Sequence, residues 1–206
     1  MKLSALMRRL LKMKRKHKKV KFKSGDIGFS ASNTFFSKAI RFFQSWHTQS
    51  ASRSHTFAFV GKELCVEALS RVKVNHVSKY EGKDVVVYRI PLSKEERESF
   101  RINMLQQASK SYGWANILMF GLDAIATKLT SVFGRKKPIF FFTKHAKVFN
   151  IPVCSQLVAW GLHKFTSYEL KDETGQKVDW RIVSPDYFED LLKIKHNRAR
   201  LIFESE

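Results

Sequence analysis

Short apolar runs rich in valine and phenylalanine recur between residues 55 and 90, and these strand-like runs predict an antiparallel sheet. Gly61, Gly82 and short polar turns divide the stretch into runs of strand length. A shorter apolar run follows the Gly25-Asp26 break, and another lies near the end of the chain. The predicted strands therefore cover residues 27–29, 55–60, 64–69, 72–77, 84–90 and 200–203.

The apolar spacing changes to the helical period after Pro91, where residues three and four apart are apolar together. The same spacing occurs earlier, between residues 35 and 46. The predicted helices cover residues 35–46, 93–111, 114–129, 152–165 and 185–192. Consecutive strands, with helices before and after them, indicate an α+β fold. A length of 206 residues without an internal repeat or linker fits one folded domain.

Positive charge is concentrated at the start of the chain. The sequence has 38 Lys or Arg against 18 Asp or Glu, a net charge of +20, and residues 1–23 contain eleven of these cations and no acid. Apolar residues recur at helical spacing from Leu3 to Met13, which predicts a basic N-terminal arm or amphipathic helix at 1–23 and a domain at 24–206. An anionic membrane, a cell wall or nucleic acid would be its partner, unless the arm is a disordered solubilising or targeting segment.

Cys65 and Cys154 are the two cysteines of the chain, too few for a four-cysteine zinc site or a disulfide scaffold. The histidines lack the spacing of known metal motifs, so neither a metal nor another cofactor is predicted. The N-terminus has no apolar stretch of secretory-signal length, and nowhere do eighteen apolar residues follow one another. We therefore expect a protein that is cytoplasmic or peripheral at a membrane surface.

Cys154 lies where a buried helix is predicted to begin. Pro152 suits the first helical turn because its missing N–H would have no partner there. The helix dipole would then favour the thiolate of Cys154, and the free N–H groups of the first turn would stabilise an oxyanion. Cys65 lies in the middle of a predicted strand, lacks both features and is interpreted as a packing residue. Taken alone, a cysteine in an apolar helix is more often an inert core residue.

His55 begins the predicted strand before the Gly61 turn and is the candidate base for the thiol. If residues 61–63 form the hairpin loop, opposed residue numbers sum to 124, and His55 lies diagonal to Glu67 on one face. Diagonal partners are about 7–8 Å apart, within reach of long side chains. Glu67 is thus predicted to accept the second imidazole N–H and to hold the ring, as the third member of a triad does.

These residues resemble a known family. The segments that carry the resemblance are Gly25-Asp26-Ile27, Ser54-His55, Val66-Glu67-Ala68 and Val153-Cys154-Ser155-Gln156-Leu157-Val158. They are similar to the circularly permuted NlpC-type papain-like hydrolases, the YiiX/YebB-like group, with the lecithin:retinol acyltransferases as more distant relatives. The resemblance covers about residues 24–193 and implies a permuted papain-like fold, in which an antiparallel sheet that carries the histidine packs against helices including the Cys-bearing helix.

By the same resemblance Cys154 is the nucleophile, His55 the base and Glu67 the third polar residue, and Tyr187 helps to close the substrate pocket. Tyr112 is a second candidate for substrate contact. The implied activity is that of a cysteine hydrolase, an amidase or peptidase, that forms an acyl-enzyme intermediate; an acyltransferase remains open. The substrate would be an amide or ester of a peptide, such as a cell-wall peptide, or of a lipid.

A different class of function is also open. The net charge of +20 is compatible with a non-catalytic basic module that binds nucleic acid or an anionic membrane on the same scaffold. Residues 1–23 and the basic residues 135–137 support this module, whereas the apolar run at residues 139–142 favours a lipid or another apolar group as the substrate of a hydrolase. The sequence does not determine the substrate, the oligomeric state or the role of the N-terminal arm.

Overall fold

The computed structural model describes residues 20–31, 37–38, 41–42, 52–69, 71–110, 122–123, 125–131, 141 and 154–205, and a six-stranded antiparallel sheet lies at the centre of this part of the chain. The strands are β1 (Asp26–Ser30), β2 (His55–Phe59), β3 (Leu64–Ala68), β4 (Val72–His76), β5 (Val85–Arg89) and β6 (Arg200–Glu204). Their order is β4-β3-β2-β1-β5-β6. The predicted strands are confirmed, except that Val77 belongs to a 3₁₀ turn over Val77–Tyr80 and not to β4.

Helices pack against one side of this sheet, so the predicted α+β class is confirmed. They are α1 (Lys94–Leu105), α2 (Cys154–Phe165) and α3 (Pro185–Lys193), and residues 37–38, 41–42, 122–123 and 125–131 are also helical. The start of α1 is a capping box, in which Ser93 and Glu96 each accept the other's backbone N–H.

The helix predicted over residues 93–111 is too long at its C-terminal end. Ser109 adopts a φ of +73°, which an α-helix does not allow. The backbone then pairs with the sheet edge, since the N–H of Ser109 donates to Val72 O and the N–H of Val72 donates to Lys110 O, both at 2.8 Å. These bonds to β4 replace the last helical turn, which the apolar spacing alone did not reveal.

The two faces of the sheet are both buried, in unequal clusters. Successive strand residues point to opposite faces, so Ala58 and Val66 pack against the helices while Phe57 and Cys65 lie on the other side. The helix side is the main core, and α2 contributes Leu157, Val158, Ala159 and Leu162 to it. The second face is covered in part by Tyr80 of the 3₁₀ turn.

Residues 20–23 are part of the folded domain. The ring of Phe22 stacks on Phe59 with a centroid distance of 4.2 Å and meets Phe203 edge-on at 6.0 Å. The carbonyl of Lys21 accepts a hydrogen bond from Arg89 at 2.7 Å. The predicted arm at 1–23 therefore overlaps the domain by its last few residues, and residues 1–19 lie outside the described part of the chain. No helix in the described residues has the length and apolarity needed to cross a bilayer.

Candidate active site

His55 stands at the first position of β2, and its backbone is held on both sides. The residue before it, Ser54, donates its N–H to Ser30 O of β1 at 3.1 Å. One residue further back, the N–H of Arg53 donates to the carboxylate of Asp186, in the first turn of α3, at 2.7 Å. The imidazole is largely buried, with its side chain 14% exposed. The strand and the preceding loop therefore fix where the ring lies.

The β2–β3 hairpin brings the imidazole to a carboxylate. Phe57 pairs with Glu67 and Ala58 with Val66, which is the register predicted from the position of the turn. His55 is thus diagonal to Glu67, and its Nε2 lies 2.7 Å from Oε2 of that carboxylate. The structure places this sequence-predicted pair in contact.

Glu67 is fully buried and collects donors on both carboxylate oxygens. Tyr80 donates its hydroxyl to Oε2 at 2.7 Å, Asn75 donates its amide to Oε1 at 2.5 Å, and the ammonium of Lys79 also contacts Oε1. Burial alone would raise the pKa of Glu67, but the hydrogen bonds and charges of His55, Lys79 and Tyr80 lower that pKa to about 2. The carboxylate is therefore ionised at neutral pH.

Sequence reasoning missed these three donors. Asn75 had a usable signal: it pairs with Cys65, so it is diagonal to Glu67 on the same face of the sheet. Lys79 and Tyr80 belong to a short 3₁₀ turn without a strand or helix period, so the sequence carried no comparable signal for them.

Cys154 is the first residue of α2 and is 3% exposed. The two polar residues that follow it anchor the start of this helix. Ser155 donates its hydroxyl to Val183 O at 2.6 Å, and the amide of Gln156 donates to the carbonyl of Arg181. Ser155 and Gln156 thus fix the position of the start of α2 and, with it, the sulfur of Cys154. Pro152 lies outside the described residues.

The Cys154 thiol and the His55 imidazole interact, and each shifts the pKa of the other. Burial alone would raise the pKa of Cys154, whereas the charge and hydrogen bond of His55 and the backbone N–H groups of Thr56 and Ser155 lower it. Burial alone would lower the pKa of His55, but attraction to Cys154, the hydrogen bond with it and the contact with Glu67 raise that pKa to about 9. Because Nε2 of the ring faces Glu67, Nδ1 is the nitrogen available to the sulfur.

Cys65 lies in a different environment from Cys154. It is fully buried in β3, and its thiol contacts the carbonyl of Asn75 at 3.6 Å. Burial and the negative charge of Glu67 raise the pKa of Cys65 to about 12. The Cys65 thiol is therefore protonated at neutral pH, consistent with its interpretation as a packing residue.

One of the two tyrosines predicted to contact substrate, Tyr187, lies in the described part of the chain. Tyr187 lies in α3 and is partly buried against the main core. Burial and the nearby Asp172 and Glu173 raise the pKa of Tyr187, and among the described contacts none joins it to Cys154 or His55. Tyr112 lies outside the described residues. Substrate contact by either tyrosine stays a prediction.

In the described part of the chain, no group of three or more His, Cys, Asp or Glu side chains is arranged to hold a metal ion. No model of a known protein family matches the sequence, and no curated protein matches it either. Among solved structures, the fold is similar to that of the metalloprotein YiiX from Escherichia coli O157:H7, with a TM-score of 0.57 and 16% sequence identity. The similarity covers 90% of this chain and 99% of YiiX, and at this identity it shows a YiiX-like fold.

Proposed function

We propose that this protein is a cysteine hydrolase of the permuted papain-like type, an amidase or peptidase, in which Cys154 attacks an amide or ester carbonyl. His55 takes the thiol proton and returns it to the leaving amine or alkoxide, which leaves an acyl-enzyme. A water molecule, deprotonated by His55, then attacks the acyl group and restores the thiolate. An acyl acceptor other than water would make the same chemistry an acyl transfer.

The observation that carries the proposal is the continuous chain of contacts from a buried thiol through one imidazole to an ionised carboxylate. A thiolate is the reactive form of cysteine, and here an imidazole and two backbone N–H groups favour it against the effect of burial. Glu67 in turn favours the imidazolium. A packing cysteine needs none of these partners, as Cys65 illustrates.

The YiiX-like fold supports the proposed class and leaves the substrate open. YiiX is described as a metalloprotein. In this chain His55 interacts with Cys154 and bonds Glu67, and each oxygen of Glu67 already accepts from two donors. These side chains therefore do not fit a metal site, and no step of the proposal uses one.

Alkylation by iodoacetamide tests the central claim without knowledge of the substrate. We expect Cys154 to react faster than Cys65, and the rate to rise with pH through a midpoint below the free-cysteine pKa of about 8.5. The raised pKa of His55 sets the other limit, since the imidazolium that protonates a leaving group is lost as pH rises through about 9. Turnover of a p-nitroanilide should accordingly fall above that pH, because its amine must be protonated to leave. A p-nitrophenyl ester releases a phenolate without a proton and reports turnover free of this limit.

The matched variants are Cys154→Ala and Cys65→Ala. The first should abolish ester turnover with the fold intact, as measured by circular dichroism, and the second should retain it. Faster labelling of Cys65 than of Cys154, or undiminished turnover by Cys154→Ala, would contradict the proposed function.

A further inference from the structure

Thr56 has a buried hydroxyl that forms no hydrogen bond with its described neighbours. The residue is 0% exposed, and within the described part of the chain its Oγ1 has no hydrogen-bond partner. Other hydroxyls in the fold are paired: Ser155 donates to Val183 O at 2.6 Å, and Thr127 donates to Asp123 O at 2.7 Å. An unpaired buried hydroxyl opposes folding, and valine would fill nearly the same volume without that cost. A ligand that accepts a hydrogen bond would explain the threonine.

The position of Thr56 indicates what that ligand is. Thr56 follows His55 in β2, and its backbone N–H lowers the pKa of Cys154, so the residue lies near the nucleophile. Side chains of one strand alternate between faces. His55 therefore lies on the side of Phe57, with its ring stacked at 6.4 Å, while Thr56 lies on the helix side with Ala58. The hydroxyl is thus on the side from which α2 delivers the sulfur.

The reaction creates a charge that needs such a donor. When the thiolate attacks, a C–S bond forms and the π electrons of the carbonyl move to its oxygen, giving an oxyanion. When the tetrahedral intermediate collapses, those electrons re-form the carbonyl and the leaving group departs with the proton from His55. Donors that meet the oxyanion lower the barrier, and N–H groups of the first turn of α2, a helix of 12 residues, are one source, because a first turn offers them no partner within the helix.

We propose that the hydroxyl of Thr56 is a catalytic hydrogen-bond donor to the oxyanion, beside the first N–H groups of α2. The inference rests on the proposed function of Cys154 and adds a residue to it. In the resting protein the hydroxyl is unpaired, and the carbonyl oxygen of a bound amide or ester supplies its partner. Thr56 therefore acts on acylation and not on formation of the thiolate.

Two reagents separate these effects in Thr56→Val, which removes the hydroxyl and keeps the branched shape. Iodoacetamide alkylates the thiolate without forming an oxyanion, whereas p-nitrophenyl acetate acylates it through one. We expect acylation of Cys154 to fall by about 10²-fold, the loss typical of one oxyanion donor. Alkylation should stay within about twofold, and the variant should unfold at no lower temperature, because an unpaired hydroxyl has been removed.

The controls identify the hydroxyl as the cause. Thr56→Ser restores a hydroxyl and should recover most of the acylation rate. Thr166→Val removes a hydroxyl that bonds Leu162 O at the opposite end of α2, roughly 18 Å along the helix, and should leave both rates unchanged. If Thr56→Val does not fold, Thr56→Ala provides the same comparison of the two reagents.

The outcomes distinguish this inference from the proposed function. Acylation of Thr56→Val at the wild-type rate, or an equal loss of acylation and alkylation, would overturn the role of Thr56 and leave Cys154 as the nucleophile. Failure of wild-type Cys154 to react with either reagent would overturn the proposed function itself.

Discussion

Four donors surround the carboxylate of Glu67, and one of them, His55, takes part in the proposed chemistry. The other three, Asn75, Lys79 and Tyr80, keep the carboxylate charged in a fully buried position. A neutral acceptor in the same place would orient the imidazole but would not attract its positive charge. The full charge at Glu67 is therefore one cause of the raised pKa of His55 and supports the thiolate indirectly.

Glu67→Gln should separate charge from orientation. The pKa of His55 should fall because an ionic partner is lost, so the pH midpoint of Cys154 alkylation should move up. A buried group left without its partner costs about 1–3 kcal/mol in the free energy of unfolding. The matched control is Glu63→Gln on the same hairpin, where the side chain is 74% exposed and the stability change should be below about 0.5 kcal/mol. An unchanged alkylation midpoint in Glu67→Gln would contradict this account.

The protonation of His55 and the ionisation of Glu67 also contribute to the stability of the fold. The pKa of His55 is raised in the folded state, from 6.5 to about 9, so this contribution is fully present below about pH 6.5 and is lost as pH rises through about 9. Glu67 has a lowered pKa of about 2, so its contribution is present at neutral pH and is lost only in strong acid.

At the scale of the elements, the central strand β1 makes room for the ring that supports this site. Gly28 pairs with Phe57, and a Cβ on Gly28 would lie 2.2 Å from the Phe57 ring. That ring in turn stacks on Tyr80 with a centroid distance of 4.0 Å and an interplanar angle of 12°. Because Tyr80 donates to Glu67, the glycine connects the packing of two strands to the electrostatics of the carboxylate.

Gly28→Ala should therefore lower both stability and thiol reactivity. Overpacking of this kind costs about 1–3 kcal/mol, measurable by urea denaturation. The displaced Phe57 ring should also disturb Tyr80, and with it the alkylation rate of Cys154. Gly61→Ala, at the hairpin turn, is the matched control, because a Cβ there meets no atom within 4 Å. Equal stability of the two alanine variants would show that the Phe57 ring does not depend on the space left by the absent Cβ of Gly28.

At the scale of the whole molecule, the densest cluster of positive charge and the candidate site lie in different parts of the chain. Residues 1–19 contain nine Lys or Arg and no acid. Phe22 packs on Phe59, so a truncation that keeps residues 20–23 preserves the folded sheet. These nine cations are thus separable from the site by experiment, while residues 20–206 keep 29 Lys or Arg against 18 Asp or Glu.

A chain that begins at Val20 should lose at least tenfold in affinity for vesicles of phosphatidylglycerol, since each surface cation contributes about 1 kcal/mol to binding an anionic bilayer. Alkylation of Cys154 should be unchanged. Phosphatidylcholine vesicles are the neutral control, measured by co-sedimentation. Undiminished vesicle binding by the truncated chain would show that the membrane contact lies elsewhere. Salt-sensitive DNA binding, with no acylation of Cys154, would favour the binding module.

Much of the site followed from local sequence. Turn position and the period of two set the β2–β3 register, and this register placed His55 diagonal to Glu67. The prediction succeeded because both effects act over a few residues of backbone and depend little on the rest of the fold. The same holds for the helix that places Cys154 at its beginning.

The tertiary structure alone decided the rest. The contact of Cys154 with His55 joins segments far apart in the chain, and it depends on how α2 packs on the sheet. The donors Lys79 and Tyr80, and the unpaired hydroxyl of Thr56, likewise became visible only from neighbours in space. Local periodicity states which face a side chain occupies, but the chain's long-range packing determines which groups from other segments share that face, and therefore which protons and charges the site can use.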